Sequence, residues 1–138
     1  MTTAIYFAML AQMTLAFALL IAVGAVRRTA IIERKTTYAE IALDDTRWPE
    51  NVRKVANCYR NQFELPVIFY ALCLMTIMVN AASLLTALLA WIFVISRLGH
   101  AYIHVTSNYV PQRGLVFTVG FLALIVMAVI IALRLAAA

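Results

Sequence analysis

Polar residues in this chain collect at the ends of four long apolar runs, residues 4–26, 65–79, 83–96 (the third begins at Ala81 or Ser83) and 115–133. A membrane-spanning helix needs about 20 mostly apolar residues, each rising about 1.5 Å. The first and fourth runs meet that requirement alone. The second and third need their polar ends to complete a crossing, so those ends lie at headgroup level or face a protein interior. The second helix is read from Pro49 to about Val79, roughly 45 Å for some 30 residues. Pro49 suits a first helical turn and Glu50 the positive end of the helix dipole. Pro66 cannot donate to the carbonyl of Gln62, which predicts a bend just after Glu64. That bend either widens a pocket between helices or is a tolerated transmembrane proline. A sharp turn is expected over 80–83, with Ser83 as N-cap of the third helix. Asn108, Tyr109, Pro111, Gln112 and Gly114 form a second short connection, and residues 33–49 the only sizeable extramembrane segment. The pattern predicts an all-α integral membrane protein: one domain, residues 1–138, folded as an antiparallel four-helix transmembrane bundle.

Composition agrees. The chain is 65% hydrophobic and 12% charged, whereas soluble domains are about 45–50% apolar and roughly 25% charged. A water-soluble fold of 138 residues has too little interior for so much apolar surface. The first run has no basic residue before it and is followed by Arg27 and Arg28, so it reads as a retained anchor rather than a cleaved signal peptide.

Charge placement gives an orientation. Eight of the eleven Lys and Arg residues fall between the first two spans. Arg97 and Arg113 bracket the connection between the third and fourth, and only Arg134 sits on the other side. The positive-inside rule puts both longer connections in the cytoplasm and both termini outside. The net charge of +5 does not point to nucleic acid. Its basic residues are juxtamembrane and interleaved with Glu33, Glu40, Asp44, Asp45 and Glu50, which fits attraction to anionic headgroups. Cys58 and Cys73 form neither a CxxC pair nor a metal spacing. Cys73 reads as a small hydrophobe facing lipid or core. Cys58 lies near the candidate site and reads as structural before reactive. Trp48 is either an interfacial anchor or a packing residue.

Charge kept this close to hydrocarbon marks a site by default. Arg53, Asn57, Arg60 and Glu64 recur at spacings of four, three and four and share one helix face, with Asn61 beside it. Arg97, His100 and His104 recur at three and four on the third helix, at the same end. Arg113 opens the fourth helix at that depth, and Arg27 and Arg28 are positioned to join from the first. Several guanidinium groups make an anion site with bidentate donors for carboxylates. Glu64 and Asn61 would receive an ammonium or amide. The competing reading pairs Glu64 with Arg60 or Arg97 simply to align helices. His100 and His104 do not make a metal site, because the HxxxH pair lacks a third ligand.

Arg60-Asn61-Gln62-Phe63-Glu64 resembles the RNxxE signature of the MAPEG family, membrane-associated proteins in eicosanoid and glutathione metabolism. Arg97-Leu98-Gly99-His100 resembles that family's RxxH, and Arg113 has the spacing of its catalytic arginine. The resemblance implies a homotrimer with glutathione between subunits. It implies that Arg60, Asn61 and Glu64 bind glutathione, and that Arg97 and His100 line or brace the site. His104 stands where many members have a tyrosine that contacts glutathione, and Arg113 would stabilise the thiolate. A lipophilic electrophile or hydroperoxide would arrive through the bilayer. Gly114 and Phe117 stand where some prostaglandin-forming members carry hydroxyls, which argues against those specialised enzymes. The activity implied is a glutathione-dependent transferase or peroxidase. Two rival readings stand beside it: a non-catalytic scaffold binding lipid or a thiol compound, and a small proton-coupled transporter built on Glu64.

Overall fold

In the computed structural model, which describes residues 1–137, the chain is all α-helical: α1 (Thr2–Ile32), α2 (Tyr38–Ile41), α3 (Glu50–Arg60), α4 (Leu65–Met78), α5 (Leu84–Val105) and α6 (Val110–Ala136). Single 3₁₀ turns at Asp45–Arg47 and Asn61–Phe63 precede α3 and α4. Four stretches are long and apolar enough to cross a membrane: α1, α3 with α4, α5 and α6. Their outer surfaces carry exposed Phe7, Leu10, Phe17 and Ile21 on α1, and Leu115, Leu122, Val129 and Leu133 on α6. Water does not tolerate apolar faces of that extent on a soluble monomer. The chain is a multi-pass integral membrane protein.

The helices run further than the apolar runs alone indicate. α1 continues through Arg27 and Arg28, and α5 continues through Arg97 to Val105. Pro111, Gln112 and Gly114, read as connection, belong to the first turns of α6 together with Arg113, the residue expected to open that helix. Proline is favoured there because its missing N–H has no intrahelical acceptor. Ser83 caps α5 as expected: its hydroxyl accepts from the amide of Thr86, whose own hydroxyl accepts from the amide of Ser83.

α5 is the central helix. More than half of its most apolar stretch is buried, against about a quarter of the other three. One stripe of α5 carries this burial from Thr86 through Ala90, Phe93 and Val94 to Arg97, His100 and His104. The stripe repeats at three and four residues, so the polar residues at its end face inward by the same helical period as the apolar ones. Phe93 stacks on Phe69 of α4 with ring centroids 4.5 Å apart. Ile5, Ala8 and Met9 of α1 and Ala123, Leu124 and Met127 of α6 complete this core.

α5 and α6 approach closely at Gly120. A Cβ there would collide with the hydroxyl of Ser96 and lie 3.3 Å from Cδ2 of Phe93. The Ser96 hydroxyl is already committed to the carbonyl of Phe93 at 2.7 Å. Gly120→Ala gains up to about 1 kcal/mol of helix propensity but overpacks the crossing by about 1–3 kcal/mol. The expected result is a net loss of about 1–2 kcal/mol, read as a lower thermal midpoint in detergent.

The second span departs from the single bent helix read from the sequence. It is two helices, α3 and α4, and the break occupies residues 61–64, so it begins before the point just after Glu64 where the bend is expected. Continuing the helix would drive the proline ring into the carbonyl of Gln62. The chain avoids this by tightening into the turn Asn61–Phe63 and setting Glu64 at φ −98°, ψ −101°, so Pro66 enters the first turn of α4. The break is braced from α1. Gln12, fully buried, donates to the side chain of Gln62 at 2.9 Å, which in turn donates to the carbonyl of Cys58 at 2.9 Å.

Candidate functional site

The break at residues 61–64 builds one wall of a polar cavity of about 560 Å³. Arg53, Lys54 and Asn57 of α3, then Arg60, Asn61 and Glu64, form that wall. His104 of α5, Asn108 and Arg113 face them, and Glu50 closes one end. Four cations against two carboxylates leave the cavity electropositive, which suits an anion with an additional amine.

The residues singled out from sequence occupy distinct positions around this space. Arg60, Asn61, Glu64, His104 and Arg113 line it. Arg97 and His100 lie deeper, 1% and 4% exposed, behind the lining. Nη2 of Arg97 donates to the carbonyl of Asn61 at 3.2 Å, which ties α5 to the broken turn. Among the described residues, Nε and Nη1 of Arg97 have no partner, and neither do Nε2 of His100 and Nδ1 of His104. Buried polar atoms without partners are rare in folded proteins and call for an explanation such as a ligand. Nδ1 of His100 lies 3.2 Å from the carbonyl of Arg113, joining α5 to the first turn of α6. The ring of Phe117 lies 6.0 Å from the Arg97 guanidinium and 5.9 Å from the His100 ring, so α6 packs an aromatic side chain beside the buried pair. A Cβ added at Gly114 would meet nothing within 4 Å, so packing does not impose the missing hydroxyl there.

Helix alignment by Glu64 is not how the charges pair. Among the described residues Glu64 forms no ion pair. Arg60 pairs with Asp45 from the connection after α1. Asp45 also lies 3.8 Å from Arg27. Arg27 therefore joins a second, smaller cavity of about 230 Å³ behind Arg60, with Trp48 and Asp45, and neither it nor Arg28 lines the main one. Trp48 is a packing residue. It is buried against Ala30 and Val52, with the Arg27 guanidinium 5.1 Å from its ring centroid. Cys73 faces the core, and Cys58 is fully buried with its thiol toward the carbonyl of Ala101 at 3.9 Å, a structural placement.

Outside the membrane the connection is locally ordered. Hydrogen bonds from Thr37 hold the Glu40 carboxyl below its usual range, and those from Thr46 do the same for Asp44. Both carboxylates are thereby kept charged as caps of their short helical turns.

Sequence reasoning misses two residues. Gln12 is a polar position inside the first apolar run. A lone amide in the middle of a span needs a partner, and that rule is the signal that could have found it. Asn108 reads from sequence as connection only, yet its Oδ1 accepts from Nη1 of Arg113 at 2.5 Å.

The order Arg60-Asn61-x-x-Glu64, Arg97-x-x-His100 and Arg113 thus maps onto one cavity and the layer beneath it. The family model for the MAPEG family matches residues 5–133. This chain belongs to the MAPEG family. No curated protein and no solved structure matches it. The match of the MAPEG model spans all four membrane helices, so membership covers the fold as well as the motifs.

Proposed function

We propose that this MAPEG protein is a glutathione-dependent transferase or peroxidase acting on lipophilic electrophiles or hydroperoxides. The observation that carries the reading is the electropositive cavity. It gathers Arg60, Asn61, Glu64, His104 and Arg113 from three separate helical segments, over a buried Arg97 with free donors. Glutathione carries two carboxylates, one amine, two amides and a thiol. Arg60, Arg97 and the neighbouring cations would take the carboxylates in bidentate fashion. Glu64 would take the ammonium, Asn61 and His104 the amides, and His100 would brace Arg113 through its carbonyl. Arg113 would be the catalytic residue. A guanidinium beside the thiol favours the thiolate, which is the nucleophile. Attack on an electrophilic carbon forms the new C–S bond and expels the leaving group. With a hydroperoxide, attack on oxygen splits the O–O bond and a second thiol completes the reduction.

The reading places the cavity at the cytoplasmic face, because the basic connections flank it, with both termini on the other side. It makes the assembly a homotrimer within the lipid bilayer, the arrangement associated with the family. The lipophilic partner would enter sideways from the membrane.

The test uses purified full-length protein in detergent, with calorimetric titration of glutathione and turnover of a chlorodinitrobenzene and an organic hydroperoxide. Saturable binding with product above the detergent blank is the expected result. Binding without product would replace the enzyme by a thiol-binding scaffold. No glutathione binding would sink the reading.

A further inference from the structure

We propose that Asn108 is a positioning residue that holds the Arg113 guanidinium in the cavity without cancelling its charge. The inference rests on the proposed role of Arg113. Asn108 sits in the short connection between α5 and α6 with φ 53°, in the left-handed region. Asparagine tolerates that region better than most residues. Its amide donates to the carbonyl of Ile103 at 2.7 Å, which closes the end of α5 and fixes the residue in place. From that fixed backbone its Oδ1 accepts from Nη1 of Arg113. The opposite end of the arginine is held too, through its carbonyl and Nδ1 of His100. Arg113 is therefore clamped at backbone and side chain by two residues that approach from α5 and the connection after it.

The chemistry of the clamp is selective. Glu50 and Glu64 line the same cavity; Glu50 is paired with Lys54 at 2.9 Å, whereas Glu64, without an ion pair among the described residues, is an alternative partner for a free guanidinium. Pairing with Glu64 would neutralise the charge meant for a thiolate. A neutral amide oxygen still accepts from the guanidinium and leaves its full charge available. Aspartate at 108 would keep the geometry, since it also tolerates the left-handed region, but would cancel the charge. Glycine would keep the backbone without strain and remove the hold.

These two substitutions make the test, in the full-length chain in detergent with glutathione and a chlorodinitrobenzene. The remaining ionisable groups of the cavity, Glu50, Arg53, Lys54, Arg60, Glu64 and His104, are common to all variants. Asn108→Gly is expected to lower kcat about tenfold or more, with the KM for glutathione within about twofold, because only placement of the reacting group is lost. Asn108→Asp is expected to move the midpoint of the pH–rate profile to higher pH and to reduce the ultraviolet thiolate absorbance of bound glutathione at neutral pH. Wild-type kcat in the glycine variant, or an unmoved pH profile in the aspartate variant, would overturn the inference alone. A wild-type protein that binds glutathione without forming thiolate would remove it together with the role of Arg113.

Discussion

Replacing Arg113 by alanine lowers glutathione-dependent turnover by about 10²–10³-fold, or roughly 3–4 kcal/mol of transition-state stabilisation, the size of effect seen when one preorganised donor to a developing anion is removed. The side chain has one hydrogen-bond partner, Asn108, and is half-buried at the cavity wall, so the substitution opens no core void. The loss therefore falls on chemistry rather than folding, and the thermal midpoint without ligand stays close to that of the wild type. It also falls on kcat more than on KM, because in the proposed binding mode Arg60 and the other cations would still hold the carboxylates and Glu64 the amine. Removing the cation disfavours the thiolate, so the sulfur pKa rises toward the ordinary thiol value of about 8.5. Residual activity then shifts to higher pH. Lysine at 113 retains the charge but loses the planar fork that Asn108 grips, and recovers only part of the rate. Steady-state rates across pH, alongside thermal unfolding, separate these outcomes. A wild-type rate in the alanine variant would remove Arg113 from the reaction.

The membrane architecture was legible because hydrocarbon punishes unpaired polar groups, which leaves long apolar runs as a direct signature of spans. The inward stripe of α5 was legible for a related reason. Arg97, His100 and His104 continue the same three-and-four period as Phe93 and Ala90, so a local rule fixes their facing. The break in the second span was legible only in part. Pro66 announces that the helix cannot continue through Gln62, but it does not say where the chain will absorb the change. Gln12 contributes to that outcome by bracing Gln62 across 50 residues of sequence. The partner of Arg60 was illegible for the same reason. Asp45 lies fifteen residues away in a connection with no helical period to carry it, and only the folded loop brings the carboxylate to the guanidinium. Asn108 looks like any turn asparagine until its side chain is seen on Arg113.

Replacing Arg97 by methionine makes the ligand-free protein more stable and at the same time destroys its affinity for glutathione. Arg97 is 1% exposed, and two of its three guanidinium nitrogens have no acceptor among the described residues. Desolvating an ion costs several kcal/mol, and exchanging poorly compensated buried charge for well-packed apolar side chains is often stabilising by about 1–4 kcal/mol. Two interactions are forfeited in return. The carbonyl of Asn61 loses its donor from α5, worth about 1 kcal/mol. The contact with Phe117 at 6.0 Å adds less, at the outer limit of cation–π attraction. Methionine fills most of the vacated length and adapts to irregular space, so the cavity term is small. The net expectation is a gain of about 1–3 kcal/mol, seen as a raised thermal midpoint in detergent without ligand. Glutathione should raise the wild-type midpoint through binding to the folded state. In the methionine variant that ligand-induced rise disappears, because the free donors that would meet a carboxylate are gone. Such an exchange of stability for function is what a strained binding site predicts. A methionine variant that melts lower than the wild type, or that binds glutathione with unchanged affinity, would show that Arg97 braces the helices and holds no ligand.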